Sequence, residues 1–389
     1  MYSLYSVVVE STVIELNGSN QYKGGNKMKK NIEPCYYGDY LHLDKVLGAQ
    51  ELQSEKYGDA AHEEMLFIIV HQVYELWFKQ VLHELNAVID TFNQETVKDQ
   101  QLTSVVHRLQ RVIQIQKLMN DQIAIMETMT PQQFLSFRDY LVPASGFQSI
   151  QFKRLEIALG LKRDFRIDFD KQSFYNRLTD KDRALLENLE SKPSLFELVD
   201  NWLSRMPLLK TEEFDFWQYY KKAADEMLDD DHQTISSNDM LSENEMRQEL
   251  KELQATKENF DALFDEAKFE NLRNESKFRL SHKALLSALF IKQYSEEPIF
   301  NLPFQLITAL TEIDEQLTIW RYRHAMMVQR MLGTKIGTGG SSGHHYLKKT
   351  TESNRIYLDF FNMATFLLPK SALPELPEIV RRRLGFYLQ

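Results

Sequence analysis

The chain is poor in the residues that make turns and cross-links: 14 glycines, 10 prolines and one cysteine in 389 residues. Glycine runs at about half its usual share of roughly 7%. None occurs from Leu161 to Leu332, whereas five fall between Gly333 and Gly343. Tight hairpins need positive-φ residues, chiefly glycine, so a stretch of that length without one excludes a sheet-rich body and points to helix. A lone Cys35 excludes an internal disulfide and a thiolate zinc site, and no C-x-x-C-H is present for covalent haem attachment. Basic residues are outnumbered, 46 Lys and Arg against 56 Asp and Glu, for a net charge of −10. Such a chain lacks the basic face that neutralises phosphates, so no nucleic-acid partner is expected. No apolar run approaches the roughly 20 residues that span a bilayer, so no membrane partner is expected either. The first sixteen residues carry Glu10 and Glu15 and no basic start, a poor signal peptide. A cytoplasmic protein is the expectation.

What is present is helical periodicity. Residues 1–30, in which Gly, Asn, Ser and Lys dominate from Asn17 to Lys30, read either as a disordered arm or as translated upstream sequence with Met28 as the natural start. From residue 31 to 389 the pattern is that of one all-α domain, a helical bundle. His62–Asn93 carries Met65, Ile69, Val73 and Leu76 on one face and Phe67, His71, Tyr74 and Phe78 on the next. A second helix spans Gln101–Met129, and Thr130–Pro131 opens a short third one that ends before Pro143. Ser194 and Glu197 make a capping box for a helix reaching Arg205. The charged stretch 225–278 reads as an inserted solvated hairpin, broken at Asp229–Asp231 and packed through Met246, Leu250, Leu253, Phe260 and Leu263. Two more helices are predicted at Ser281–Tyr294 and Pro303–Leu332.

Several side chains stand out against this background. No histidine follows a glutamate by three, and the H-E-x-x-H pattern is absent, which removes di-iron and zincin sites. His324 has Trp320, Met327, Val328 and Met331 as helical neighbours. It reads either as a core histidine bonded to a carbonyl or as an axial ligand to haem, a flat apolar group that takes one imidazole. His71 and Phe67 form either core packing or one wall of an aromatic-sized pocket. Arg138 sits among Phe134, Phe137 and Tyr140. It needs an acid, either internal, such as Asp139, or a ligand carboxylate held by its fork. The cluster Gly333–Gly343 lacks both the P-loop and the dinucleotide pattern. It is richer in glycine than a helix end requires, and a flap closing on a ligand explains the excess.

Taken in order, Y-Y-G-D-Y-L-H-L-D-K-V-L-G-A-Q, H-E-E-M-L-F-I-I-V-H-Q-V-Y-E-L-W-F-K-Q, F-R-D-Y-L-V-P-A-S-G-F-Q-S, R-Y-R-H and G-T-G-G-S-S-G-H-H-Y-L resemble the tryptophan 2,3-dioxygenase family from about Tyr36 to Leu368. The resemblance implies an all-α haem dioxygenase that cleaves the indole C2–C3 bond of L-tryptophan with O2. The product is N-formyl-L-kynurenine, the first step of tryptophan degradation by the kynurenine pathway. It implies haem b, one per subunit and ferrous when active, and a homotetramer. By the same resemblance His324 is the axial ligand and His71 the histidine beside the indole N–H. Phe67, with Ile68, Ile69 and Val70, belongs to the indole pocket. Arg138 is the carboxylate clamp, and Thr338 meets the ammonium and carboxylate ends of the amino acid. Ser145 and Gly146 form the turn over the distal face, and Tyr37 and Tyr40 complete a neighbour's site. Some family members have a second histidine five residues after the ligand; here that position is Gln329. Phe134 stands where short bacterial members have tyrosine. The 225–278 segment resembles the longer members, and residues 1–30 match nothing in the family. A haem-binding sensor or store without oxygenase activity is the alternative, and it needs neither Arg138 nor the flap.

Overall fold

The computed structural model describes residues 33–166, 178–206, 215–333 and 343–377, with Tyr175 and Lys335 besides. The arm at 1–30 and Thr338 of the expected flap lie outside the described residues. Among these residues there are helices and no β-strand, as the scarcity of glycine predicts.

The chain divides into two compact units, Met1–Gln50 and Glu51–Gln389. In the first, helix α1 (Tyr37–Leu41) and helix α2 (Leu43–Leu47) meet at His42, whose φ of 51° turns the chain through the left-handed region. Tyr36, Tyr37 and Tyr40 are all exposed.

The second unit opens with the short α3 (Gln53–Lys56), followed by α4 (His62–Phe92) and α5 (Asp99–Met126). Val81, Leu85 and Val88 of α4 and Val105, Leu109 and Val112 of α5 recur at three- and four-residue steps and are fully buried. Each such side chain contributes about 1.5–3 kcal/mol by leaving water. The short α6 (Pro131–Arg138) starts with the Thr130–Gln133 capping box and a proline at its first position. Helix α7 (Ile150–Leu159) is capped by the Ser149 side chain and ends at Gly160, whose φ is 128°. After it come α8 (Asp180–Glu190) and α9 (Leu195–Ser204), the latter opened by the predicted Ser194–Glu197 box.

The charged segment forms α10 (Phe216–Ser236), α11 (Glu243–Leu263) and α12 (Glu266–Asn274). The expected break at Asp229–Asp231 does not occur there. All three aspartates are exposed on α10, which runs on to Ser236. An exposed aspartate costs a helix only a few tenths of a kcal/mol. The turn falls instead at Ser237–Ser242, where Ser242 caps α11. Of the apolar stripe, Phe260 and Leu263 are buried, while Met246, Leu250 and Leu253 are only half-buried.

Helix α13 (His282–Gln293) is buried on every face from Ala284 to Ile291, which makes it a central core helix. Helix α14 (Asn301–Leu332) lies along α5, and polar side chains pin the pair. Gln116 donates to the Ile313 carbonyl at 3.3 Å, and Asn120 donates to the Gln316 carbonyl at 3.2 Å. Gly333, with φ 61°, ends α14. Then come α15 (Gly343–Ser353) and α16 (Leu358–Asn362), tied back by the buried Asp314 carboxylate. Asp314 accepts from Arg355 Nε and from the Ile356 N–H, both at 3.0 Å.

Candidate active site

Helices α4, α5, α6, α7, α14 and α15 enclose a cavity of about 310 Å³. A water needs only about 10–15 Å³ of such space. Its walls are mostly apolar: Phe67, Val70, Phe78, Phe152, Trp320 and Met331 among them. Phe67, Val70, His71, Ser145, Gly146 and His324, six of the residues singled out in the sequence, face it together.

His71 lines the cavity from α4. Its Nδ1 lies 2.7 Å from the Phe67 carbonyl oxygen. A carbonyl only accepts, so Nδ1 carries the proton and the Nε2 lone pair is left available. His71 as a whole residue is exposed, yet desolvation of its ring in the cavity lowers the imidazole pKa, against the upward pull of the Phe67 carbonyl and of Glu75. The ring packs on Phe67 with centroids 4.1 Å apart, and Phe67 in turn meets Phe134 at 5.7 Å and Phe137 at 5.6 Å. The helical step of four that joins Phe67 to His71 therefore builds an aromatic wall with one imidazole on it.

His324 enters from α14. Burial, with a smaller contribution from His71, pushes its pKa down to about 4. The ring is neutral at physiological pH and has a lone pair to give. It stacks on Trp320 at 5.0 Å and 15°, and Trp320 packs against Phe152 at 5.0 Å. Its buried Nδ1 has no hydrogen-bond partner among the described residues. A half-buried histidine among apolar walls with an unmet nitrogen suits a bound group better than core packing, where a carbonyl would satisfy it.

The remaining predicted residues are distributed differently. Ile68 is half-buried and Ile69 exposed, and neither lines the cavity. Arg138 ends α6, four residues after the cavity-lining Phe134, and its side chain is largely buried. It reaches the exposed Asp139 carboxylate at 3.5 Å, a long contact. Tyr37 and Tyr40 belong to the first unit.

The structure also brings in groups that sequence reading missed. Glu156 on α7 accepts from Arg166 at 2.9 Å and from Arg321 at 2.8 Å, and all three are buried at the cavity edge. Burial pushes the Glu156 carboxyl up, but the two guanidinium groups outweigh it and hold the pKa below the usual range. Arg321 lies one turn before His324, so this pairing fixes the helix that presents the imidazole to α7. Glu75, one turn after His71, accepts from Ser149 Oγ at 2.5 Å and from Gln151 Nε2 at 2.8 Å. A carboxylate on the apolar-walled face of α4 was the one local signal for it.

Comparison with known proteins decides the family. The sequence pattern of the tryptophan 2,3-dioxygenase family matches residues 21–367, so it begins within the 1–30 segment, expected to match nothing, and ahead of the expected start near Tyr36. The chain belongs to that family. It is 91% identical over 362 residues to tryptophan 2,3-dioxygenase of Alteromonas mediterranea, covering 93% of this chain and 100% of that protein. It is 47% identical to the Bdellovibrio bacteriovorus tryptophan 2,3-dioxygenase over 354 residues, 91% of this chain and 99% of the relative. The Dictyostelium discoideum tryptophan 2,3-dioxygenase matches at 47% over 352 residues, 90% and 88% of the two chains. Tryptophan 2,3-dioxygenases are haem enzymes. The cavity meets the needs of haem: mostly apolar walls, a neutral imidazole and an imidazole nitrogen that no group among the described residues satisfies.

Proposed function

We propose that this chain catalyses the O2-dependent cleavage of the indole C2–C3 bond of L-tryptophan to N-formyl-L-kynurenine, in the cavity between His71 and His324. The observation that carries the reading is that two imidazoles, His71 and His324, line one apolar-walled cavity.

His324 would hold haem b through its imidazole, one haem per subunit and ferrous in the active form. Haem, when bound, supplies the activation of O2 that no side chain can provide. The protein's own residues bind, orient and exclude water. The Phe67 ring offers the indole a flat face, and His71 Nε2 accepts a hydrogen bond from the indole N–H. The Phe67 carbonyl fixes the His71 tautomer that makes this possible. Indole is a far weaker acid than imidazolium, so His71 orients the ring and is not a strong base. Arg138 takes the substrate carboxylate in its fork, with Thr338 at the ammonium end, and the two set the indole's position. Ser145 and Gly146 close the wall near His71. We further assign the enzyme to the cytoplasm, as a homotetramer in which Tyr37 and Tyr40 complete a neighbour's site. Residues 31–389 act as one domain in which 225–278 is an insertion.

Tryptophan-dependent O2 uptake by the purified haem-loaded protein, followed together with the near-ultraviolet absorbance of the product, tests this reading. Matched uptake and product are expected. A Soret band without tryptophan-dependent uptake would instead indicate a haem sensor or store and overturn it.

A further inference from the structure

The turn that carries Ser145 and Gly146 is held to the helix of His71 by a small hydrogen-bond network. Its hub is the Glu75 carboxylate. Glu75 Oε1 accepts from Ser149 Oγ at 2.5 Å. Gln151 Nε2 uses both of its hydrogens on the same residue, at 2.8 Å to Glu75 Oε2 and at 2.8 Å to the Glu75 carbonyl. The Ser149 hydroxyl works in two directions. It donates to Glu75 and accepts from the Phe152 N–H at 3.2 Å, capping α7. Ser149 also closes the turn itself, its N–H donating to the Gly146 carbonyl at 3.0 Å. The turn is stiffened further at its start, where Ser145 N–H donates to Gln148 Oε1 at 3.1 Å and Phe147 N–H donates to Ser145 Oγ at 3.3 Å.

These bonds place the two ends of one wall under one carboxylate. Glu75 lies one helical turn from His71, and Glu75, His71, Ser145, Gly146 and Ser149 all line the cavity. Among the described residues the Glu75 carboxylate is met by the neutral donors Ser149 and Gln151, with no ion pair. Three hydrogen bonds from two side chains of the turn and of α7 converge on this one residue. Charged acceptors make hydrogen bonds roughly twice as strong as neutral ones.

We propose that Glu75 is a positioning residue for the reaction. Through Ser149 and Gln151 it fixes the height of the Ser145–Ser149 turn relative to His71, and so sets the space in which the indole lies. The inference rests on the function proposed above. Glu75 touches no reacting atom in this scheme. Its effect passes through the turn.

The test compares the haem-loaded wild type with Glu75→Ala, Ser149→Ala, Ser149→Thr and the Glu75→Ala/Ser149→Ala pair. Four readouts are taken: kcat, KM, the Soret change on tryptophan titration, and Tm. Misplacement of a reacting group by about an ångström costs up to roughly 100-fold. Glu75→Ala and Ser149→Ala are therefore each expected to lower kcat/KM by roughly 10- to 100-fold, and to weaken tryptophan in the Soret titration while haem content stays at one per subunit. The pair should lose no more than the worse single variant, because both remove the same tether. Ser149→Thr, which keeps the hydroxyl, should restore most of the activity. Wild-type kcat/KM and wild-type tryptophan affinity in Glu75→Ala would overturn the inference. So would losses that multiply in the pair, or that Ser149→Thr does not relieve. If Glu75→Ala fails to fold, the Ser149 variants carry the same test alone. A wild type that turns over no tryptophan defeats the proposed function. An active wild type with unaffected variants defeats only the role of Glu75.

Discussion

Desolvation lowers the pKa of both cavity imidazoles, with opposite consequences. His324, with its pKa near 4 and an unmet Nδ1, is ready to give a lone pair to a metal. His71, with its proton fixed on Nδ1 by the Phe67 carbonyl, offers Nε2 as an acceptor to the substrate. Substituting His324→Ala is expected to abolish the Soret band of the purified protein. His71→Ala should keep the band but bind tryptophan about tenfold more weakly in a spectral titration, the loss of one hydrogen bond. Glu156 makes a separate prediction about stability. Removing it leaves Arg166 and Arg321 buried without their shared carboxylate, so Glu156→Ala should cost about 3–5 kcal/mol in urea unfolding. Its pKa is lower folded than unfolded, so its contribution is present above the ordinary carboxylate range. That contribution is lost as pH falls through the depressed folded value. In a urea-unfolding series from neutral pH into acid, the wild type should lose this increment and Glu156→Gln should not. Both histidines were legible in the sequence because apolar neighbours recur around each at helical spacing. The Glu156 cluster was not: its partner Arg321 lies 165 residues away, and pairing across that distance leaves no local pattern.

At the level of elements, chain chemistry leaves short helices such as α7 and α8 unannounced, and places the helices His62–Phe92, Asp99–Met126, Leu195–Ser204, His282–Gln293 and Asn301–Leu332 to within a few residues. Caps are the reason. Thr130 with Pro131, Ser194 with Glu197, and Gly333 each supply or absorb the backbone groups that a helix end leaves unpaired. Ser194→Ala should therefore lower stability by about 1 kcal/mol, measured by the denaturation midpoint. The miss in α10 has the same physics. Asp229–Asp231 looks like a break because charge accumulates there, but exposed charges do not interrupt backbone hydrogen bonds, and nothing at that point caps an end. Burial along α11 makes a graded prediction. Phe260→Ala should destabilise by about 3–5 kcal/mol, while Met246→Ala, nearer the solvated tip, should change stability by no more than about 0.5 kcal/mol. Equal effects at the two sites would contradict the packing described.

For the whole molecule, composition fixes the class and the folded chain fixes the site. The scarcity of glycine announces an all-α body, and its concentration after α14 marks where the helix of His324 stops. Neither fact names a substrate. The cavity does more, because it joins residues from α4, α7 and α14 that the sequence keeps far apart. No described helix is long and apolar enough to cross a membrane. Sedimentation of the haem-loaded protein should give a tetramer, and Tyr37→Ala should lower kcat/KM if a neighbour's tyrosine completes the site. The central claim is that one cavity, bounded by His71 and His324, holds the haem and delivers both oxygen atoms to tryptophan. Its most direct test is turnover of L-tryptophan under 18O2, with mass spectrometry of the product. N-formyl-L-kynurenine carrying two labelled oxygens is expected from the wild type and none from His324→Ala. Product with one labelled oxygen, or undiminished labelling in His324→Ala, would contradict it.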